Sequence, residues 1–85
     1  MGLVNRVVAP DKLRDAAREW AERLASGPTV ALTQAKRLLN RSLESDRGTS
    51  FFEEANAQEI IMASHDGNEG VAAFVERRSP EFTGW

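Results

Sequence analysis

The 85-residue sequence has no cysteine and a single histidine, His65. Disulfides and thiolate metal sites need cysteine, and imidazole metal sites need several histidines, so neither can support the fold. The sequence also lacks an apolar run of membrane-spanning length and, at its start, the basic and apolar regions of a secretory signal. We therefore expect a cytoplasmic protein. Its core should be thin, because a chain of this size buries only somewhat more than about 60% of its unfolded surface.

A large charge of one sign is missing as well. The formal net charge is −2, and 28% of the residues are charged. Nucleic-acid-binding domains usually carry a basic patch, so a helix-turn-helix DNA-binding protein fits poorly with a pI of about 5.4. One basic strip, formed by Lys36, Arg37 and Arg41, does occur on the second predicted helix. A solvated helix face is the favoured interpretation of this strip, and an anion site is the alternative.

The apolar residues recur at helical spacing, which predicts an all-α chain of four amphipathic helices. The first helix, residues 10–26, should end at Gly27 in the left-handed conformation. The second helix, residues 28–45, should start at Pro28 with Thr29 as its cap. The apolar stripe of the first helix consists of Leu13, Ala16, Ala17, Trp20, Ala21 and Leu24.

The third predicted helix, residues 50–65, opens with a capping box formed by Ser50 and Glu53. Its apolar residues lie on more than one face, which is typical of a helix that two partners bury. In so short a chain the second partner is expected to be another subunit. We therefore predict an open or oligomer-completed arrangement and self-association into a dimer or a higher oligomer.

The fourth predicted helix, residues 66–79, begins with a capping box of Asp66 and Glu69 and must end before Pro80. We expect the ring of Phe74 to dock this helix on a neighbour, and residues 80–85 to form a tail. At the other end of the chain, residues 1–9 form a β-like arm, either extended over the helices or a strand of a larger sheet.

Three segments of the sequence resemble the C-terminal segment of the enoyl-CoA hydratase/isomerase (crotonase) superfamily. Residues 66–84 read D-G-N-E-G-V-A-A-F-V-E-R-R-S-P-E-F-T-G, and residues 2–8 read G-L-V-N-R-V-V. Between them, residues 27–29 and 35–40 match a further family pattern, so the resemblance covers the whole chain. It implies an enzyme acting on coenzyme A thioesters, with no covalently bound cofactor and with helices that build a trimer-type interface and close one side of the acyl-CoA pocket.

The same resemblance implies that the oxyanion-hole amides and catalytic acids lie in a larger N-terminal core. This segment is therefore expected to be inactive alone, with no catalytic residue and no metal site. In the family motif F-x-E-K/R-R the basic residue can reach the CoA nucleotide, and that position is Arg77 here, with a surface ion pair as the alternative. The position that flanks the adenine is Gln58, which departs from the family preference for an apolar or aromatic side chain.

Two functions from different classes remain open at this point. The first is the C-terminal segment of an enoyl-CoA hydratase/isomerase, which would mediate oligomerisation and form a lid over the CoA pocket. The alternative is a free-standing helical assembly or protein-binding module. The acyl group, and the choice between hydration and isomerisation, stay open.

Overall fold

The computed structural model describes residues 2–85, which form four α-helices. These are α1 (Leu13–Ala25), α2 (Thr29–Arg41), α3 (Arg47–Ala63) and α4 (His65–Glu76), and a short 3-10 turn, Pro10–Lys12, precedes α1. The predicted all-α fold is confirmed. Across residues 2–85, no helix is long and apolar enough to cross a membrane.

The predicted β-like arm is not a strand. Residues 2–9 have no regular secondary structure, and Met1 lies outside the described residues. A strand needs a neighbouring backbone with which to exchange hydrogen bonds, and the described part of the chain offers none. An ion pair of 3.5 Å between Arg6 and Glu19 connects this segment to α1.

The turn between α1 and α2 differs from the predicted one. Gly27 does not have a positive φ, so the predicted left-handed stop is wrong. Instead, its N–H donates to the carbonyl of Leu24 at 3.1 Å, and a Cβ at this position would lie 3.1 Å from the Leu32 side chain. Thr29 is the first residue of α2 and provides no side-chain cap, because Pro28 occupies the capping position.

The remaining helix limits follow from hydrogen bonds near each end. α2 ends at Arg41, four residues early, where the hydroxyl of Ser42 donates to the Leu39 carbonyl at 2.8 Å. α3 begins three residues early because Asp46 caps it, accepting a bond of 2.9 Å from the N–H of Thr49. That bond is the main cause that lowers the pKa of Asp46.

Both predicted capping boxes are therefore wrong. The hydroxyl of Ser50 donates to the carbonyl of Asp46 instead of capping α3. At α4 the cap is Ser64, whose Oγ accepts from the N–H of Gly67 at 2.9 Å. In each case an earlier polar residue satisfies the free amides of the first turn, and the later candidate is released for another contact.

The apolar residues that the fold buries are small. Within residues 2–85 the only buried residues are Ala57, Asp66 and Ala73. Many bulky apolar side chains face outward, and Phe74 is 85% exposed, so the neighbour on which its ring is expected to dock α4 is not among residues 2–85. Small residues allow two helix backbones to approach closely. The exposed aromatic rings would need a partner surface outside residues 2–85 to become buried.

The resulting shape is open. The accessible surface is 7304 Å², whereas a compact chain of this mass would expose about 5,000 Å². The radius of gyration is 15.9 Å, against about 12 Å for a compact chain of this length. These residues therefore carry roughly 2,300 Å² of surface that a compact monomer would hide.

Candidate functional site

α4 ends in a left-handed turn at Arg77. This residue has φ 56° and ψ 41°. Its N–H donates to the Phe74 carbonyl at 3.3 Å, and the N–H of Arg78 donates to the Ala73 carbonyl at 3.0 Å, which together form a Schellman motif. The helix therefore stops at Glu76 rather than at residue 79. Glycine usually occupies such a position, and another residue there costs about 1–3 kcal/mol.

The side chain of Arg77 is exposed and unpaired. Among residues 2–85, no carboxylate forms an ion pair with its guanidinium, so the predicted alternative of a surface ion pair has no partner there. A guanidinium carries five donors in a planar fork suited to carboxylates and phosphates. Arg77 therefore presents a free cationic group from a turn of defined geometry.

The next residue, Arg78, is fully engaged. Its Nη2 contacts Oε2 of Glu69 at 2.9 Å, its Nη1 binds the other oxygen of the same carboxylate, and its Nε contacts Glu76 at 2.6 Å. Glu69 also accepts a bond of 2.8 Å from the N–H of Glu81. The hydrogen bonds from Arg78, followed by the bond from Glu81, lower the pKa of Glu69 to about 2.

Asp66 binds the end of the chain in the same manner. Its side chain is 1% exposed and accepts bonds from the N–H groups of Thr83 and Gly84, both at 2.7 Å. Its own N–H donates to the carbonyl of Trp85 at 2.8 Å. Burial acts to raise the pKa of Asp66, but the hydrogen bonds from the tail outweigh it and lower the pKa.

We call Asp66, Glu69 and the tail residues 81–85 that they bind the tail clasp. His65 adds to it, since its ring stacks on Trp85 with centroids 5.1 Å apart and its Nδ1 lies 3.2 Å from the Thr83 hydroxyl. Sequence reasoning assigned both carboxylates to helix capping. No local pattern points to the clasp, because its partners lie 12 to 18 residues further along the chain.

Gln58, the second predicted contact, lies on α3 and is exposed, one position after buried Ala57. No hydrogen bond within residues 2–85 joins it to Arg77. The basic strip of α2 is divided: Arg41 pairs with Glu53 on α3 at 3.1 Å, while Lys36 and Arg37 are exposed. Arg41 thus bridges α2 and α3 and is not a free anion ligand.

The apolar stripe of α1 is left open. Together with Asn5, Arg6 and Val8 it lines a groove of about 460 Å³. Trp20 and Leu24 in this groove are exposed, so no other helix of the described chain covers the stripe. The groove has the apolar character of a surface that packs against another body.

Comparison with known proteins finds similar sequences within longer chains. A family profile described as enoyl-CoA hydratase/isomerase matches residues 1–85. A probable enoyl-CoA hydratase of Rhizobium meliloti (strain 1021) is 43% identical over 81 residues, which are 95% of this chain and 32% of that protein. The 1,2-epoxyphenylacetyl-CoA isomerase of Escherichia coli (strain K12) is 36% identical over 98% of this chain and 32% of its own length.

The fold is similar as well. A crystal structure of an enoyl-CoA hydratase from Geobacillus kaustophilus HTA426 superposes with a TM-score of 0.91 and 33% identity, over 99% of this chain and 32% of that one. The chain thus spans about a third of the length of the relatives it matches.

Proposed function

Because this chain belongs to the enoyl-CoA hydratase/isomerase family, we propose that it forms the C-terminal helical part of an enzyme acting on acyl-CoA thioesters. The observation that carries the proposal is the family match over all 85 residues together with an open helical fold. The oxyanion hole and catalytic acids are assigned to the part of such an enzyme that lies outside these residues, and the segment alone is inactive. Coenzyme A enters as part of the substrate, and the cytoplasm is the proposed location.

The first proposed role is oligomerisation. The roughly 2,300 Å² of excess surface is more than the ~800 Å² that one partner buries in a standard interface. Large rings lie on that surface, including Phe51 and Phe52, which are 61% and 69% exposed. Such surface supports contact with the remaining body of the enzyme and with other subunits, in a trimer-type assembly.

The second proposed role is closure of the acyl-CoA pocket, with Arg77 binding a phosphate of the CoA nucleotide. Its free guanidinium suits a phosphate, which it can bind through two parallel hydrogen bonds. Phe74, three residues earlier, presents an exposed ring against which a purine base can stack. Gln58 offers an amide and no ring, and it is the weaker candidate for a nucleotide contact.

A graft tests this function. The matching third of the Rhizobium meliloti relative is replaced by residues 1–85, and hydration of crotonyl-CoA is followed spectrophotometrically. We expect the graft to be active, the 85-residue chain alone to be inactive, and Arg77→Ala in the graft to raise KM about tenfold with little change in kcat. Arg77→Lys is the matched control, since it keeps the charge and loses the fork. An unchanged KM in Arg77→Ala would refute the proposed contact between Arg77 and the CoA nucleotide.

The alternative function is a free-standing helical assembly or protein-binding module. The open apolar groove on α1 is the observation that favours it. Intact mass of the protein from its native cells separates the two. A species of 9.4 kDa would support the module, and a longer chain containing these residues would support the enzyme.

A further inference from the structure

We infer that Glu69 is a positioning residue for Arg77, acting through the tail clasp, and that Asp66 supports it. The inference rests on the proposed function of Arg77 as a phosphate ligand.

On the helix side, the turn is closed by backbone bonds alone, from Arg77 to the Phe74 carbonyl and from Arg78 to the Ala73 carbonyl. Such bonds do not by themselves favour a non-glycine residue in the left-handed region. Another part of the fold must therefore hold the chain in this path.

On the tail side, the chain is tied to the N-terminal half of α4. Glu69 binds the guanidinium of Arg78, immediately after the turn, and then the N–H of Glu81. Asp66 binds the N–H groups of Thr83 and Gly84. The segment that leaves the turn is thus fixed at its first residue and again near its end, and both ties lead to carboxylates on one helix.

Arg77 is the single residue between the helix and this fixed segment, and its side chain is unengaged within residues 2–85. A ligand group held in this way loses less freedom when it binds, so the clasp contributes to affinity without touching the ligand. Glu69 is partly buried, and its low pKa keeps it ionised at neutral pH, so the tie persists under working conditions.

The test compares Glu69→Gln with Glu76→Gln. Both substitutions remove one negative charge beside Arg78, and by charge alone both should slightly strengthen binding of anionic coenzyme A. Only Glu69→Gln replaces Oε2, the acceptor of Arg78 Nη2, by an NH2 group and leaves a single neutral oxygen for the Glu81 N–H, so it weakens both ties of the tail. If the clasp positions Arg77, Glu69→Gln should weaken binding about threefold despite the favourable charge change, while Glu76→Gln binds as tightly as the unmodified graft or more tightly.

The affinity for coenzyme A is measured by calorimetric titration of the graft described under the proposed function, and NMR of the ¹⁵N-labelled 85-residue chain is used only to follow the tail. The amides of Glu81, Thr83 and Gly84 report whether the tail is released, and the remaining amides report whether each variant is folded. Asp66→Asn is the second variant, should Glu69→Gln fail to fold. A double variant, Glu69→Gln with Arg77→Ala, should bind no more weakly than Arg77→Ala alone, since Glu69 acts through Arg77.

The outcomes separate this inference from the function on which it rests. If coenzyme A does not bind the unmodified graft, or binds the Arg77→Ala graft equally well, the proposed role of Arg77 fails and this inference fails with it. If Arg77→Ala weakens binding, but Glu69→Gln releases the tail and leaves the affinity unchanged, only the positioning role fails.

Discussion

The junction between α3 and α4 provides the sharpest test of how these two helices pack against each other. Gly67 lies in the first turn of α4, directly against the end of α3. A Cβ at this position would overlap the carbonyl oxygen of Ile61, would lie 2.9 Å from its carbonyl carbon, and would lie 3.0 Å from Oγ of Ser64. The two nearest atoms that the added Cβ would meet belong to the backbone of α3 and cannot rotate away as a side chain could. Gly67→Ala must therefore push α4 away from the end of α3.

The cost has two parts. Forcing an extra carbon into a packed contact costs about 1–3 kcal/mol. The shift also disturbs the cap, because Ser64 Oγ both accepts from the N–H of Gly67 at 2.9 Å and donates to Ile61 O at 2.6 Å, and loss of a cap costs about 1 kcal/mol. We therefore expect Gly67→Ala to lower the free energy of unfolding by about 2–4 kcal/mol.

Gly70→Ala is the matched control on the same helix. Its added Cβ would lie 3.8 Å from the ring of Phe82, an ordinary contact. Replacing glycine by alanine inside a helix should raise the free energy of unfolding by about 0.5–1 kcal/mol. The two variants, followed by circular dichroism at 222 nm in a urea titration, should differ by about 2.5–5 kcal/mol. Equal stability of the two variants would show that α4 does not pack on α3 as described.

Three further outcomes are expected. Arg77→Gly should raise the free energy of unfolding by about 1 kcal/mol, because glycine takes the left-handed turn without strain; a loss of stability in urea would contradict this. Sedimentation velocity of the 85-residue chain should show dimers or larger species, and a stable monomer at high concentration would refute the proposed role in oligomerisation. Glu69, with a pKa lowered from 4.5 to about 2, should stabilise the clasp above pH 4.5 and release it as the pH falls toward 2, as the Glu81 amide resonance would report.

The number and order of the helices could be predicted from the sequence, because both depend on local information. Apolar residues at helical spacing mark each helix, and Pro10, Gly27, Pro28 and Pro80 punctuate the chain. The family resemblance was equally accessible, since it depends on residues in order and not on their contacts. The exact helix ends were not, because neighbouring polar residues compete for the same free amides, as Asp46 and Ser50 do at α3.

The tertiary structure alone decided which faces touch and what the two carboxylates of α4 do. Periodicity shows that a helix has an apolar face but not that this face meets its own chain. Here many bulky apolar side chains are exposed, while the buried apolar residues are Ala57 and Ala73. Asp66 and Glu69 have the local pattern of a helix cap, yet they bind a tail 12 to 18 residues away. Hydrogen bonds over such separations depend on where the folded chain returns, and no local pattern encodes that path.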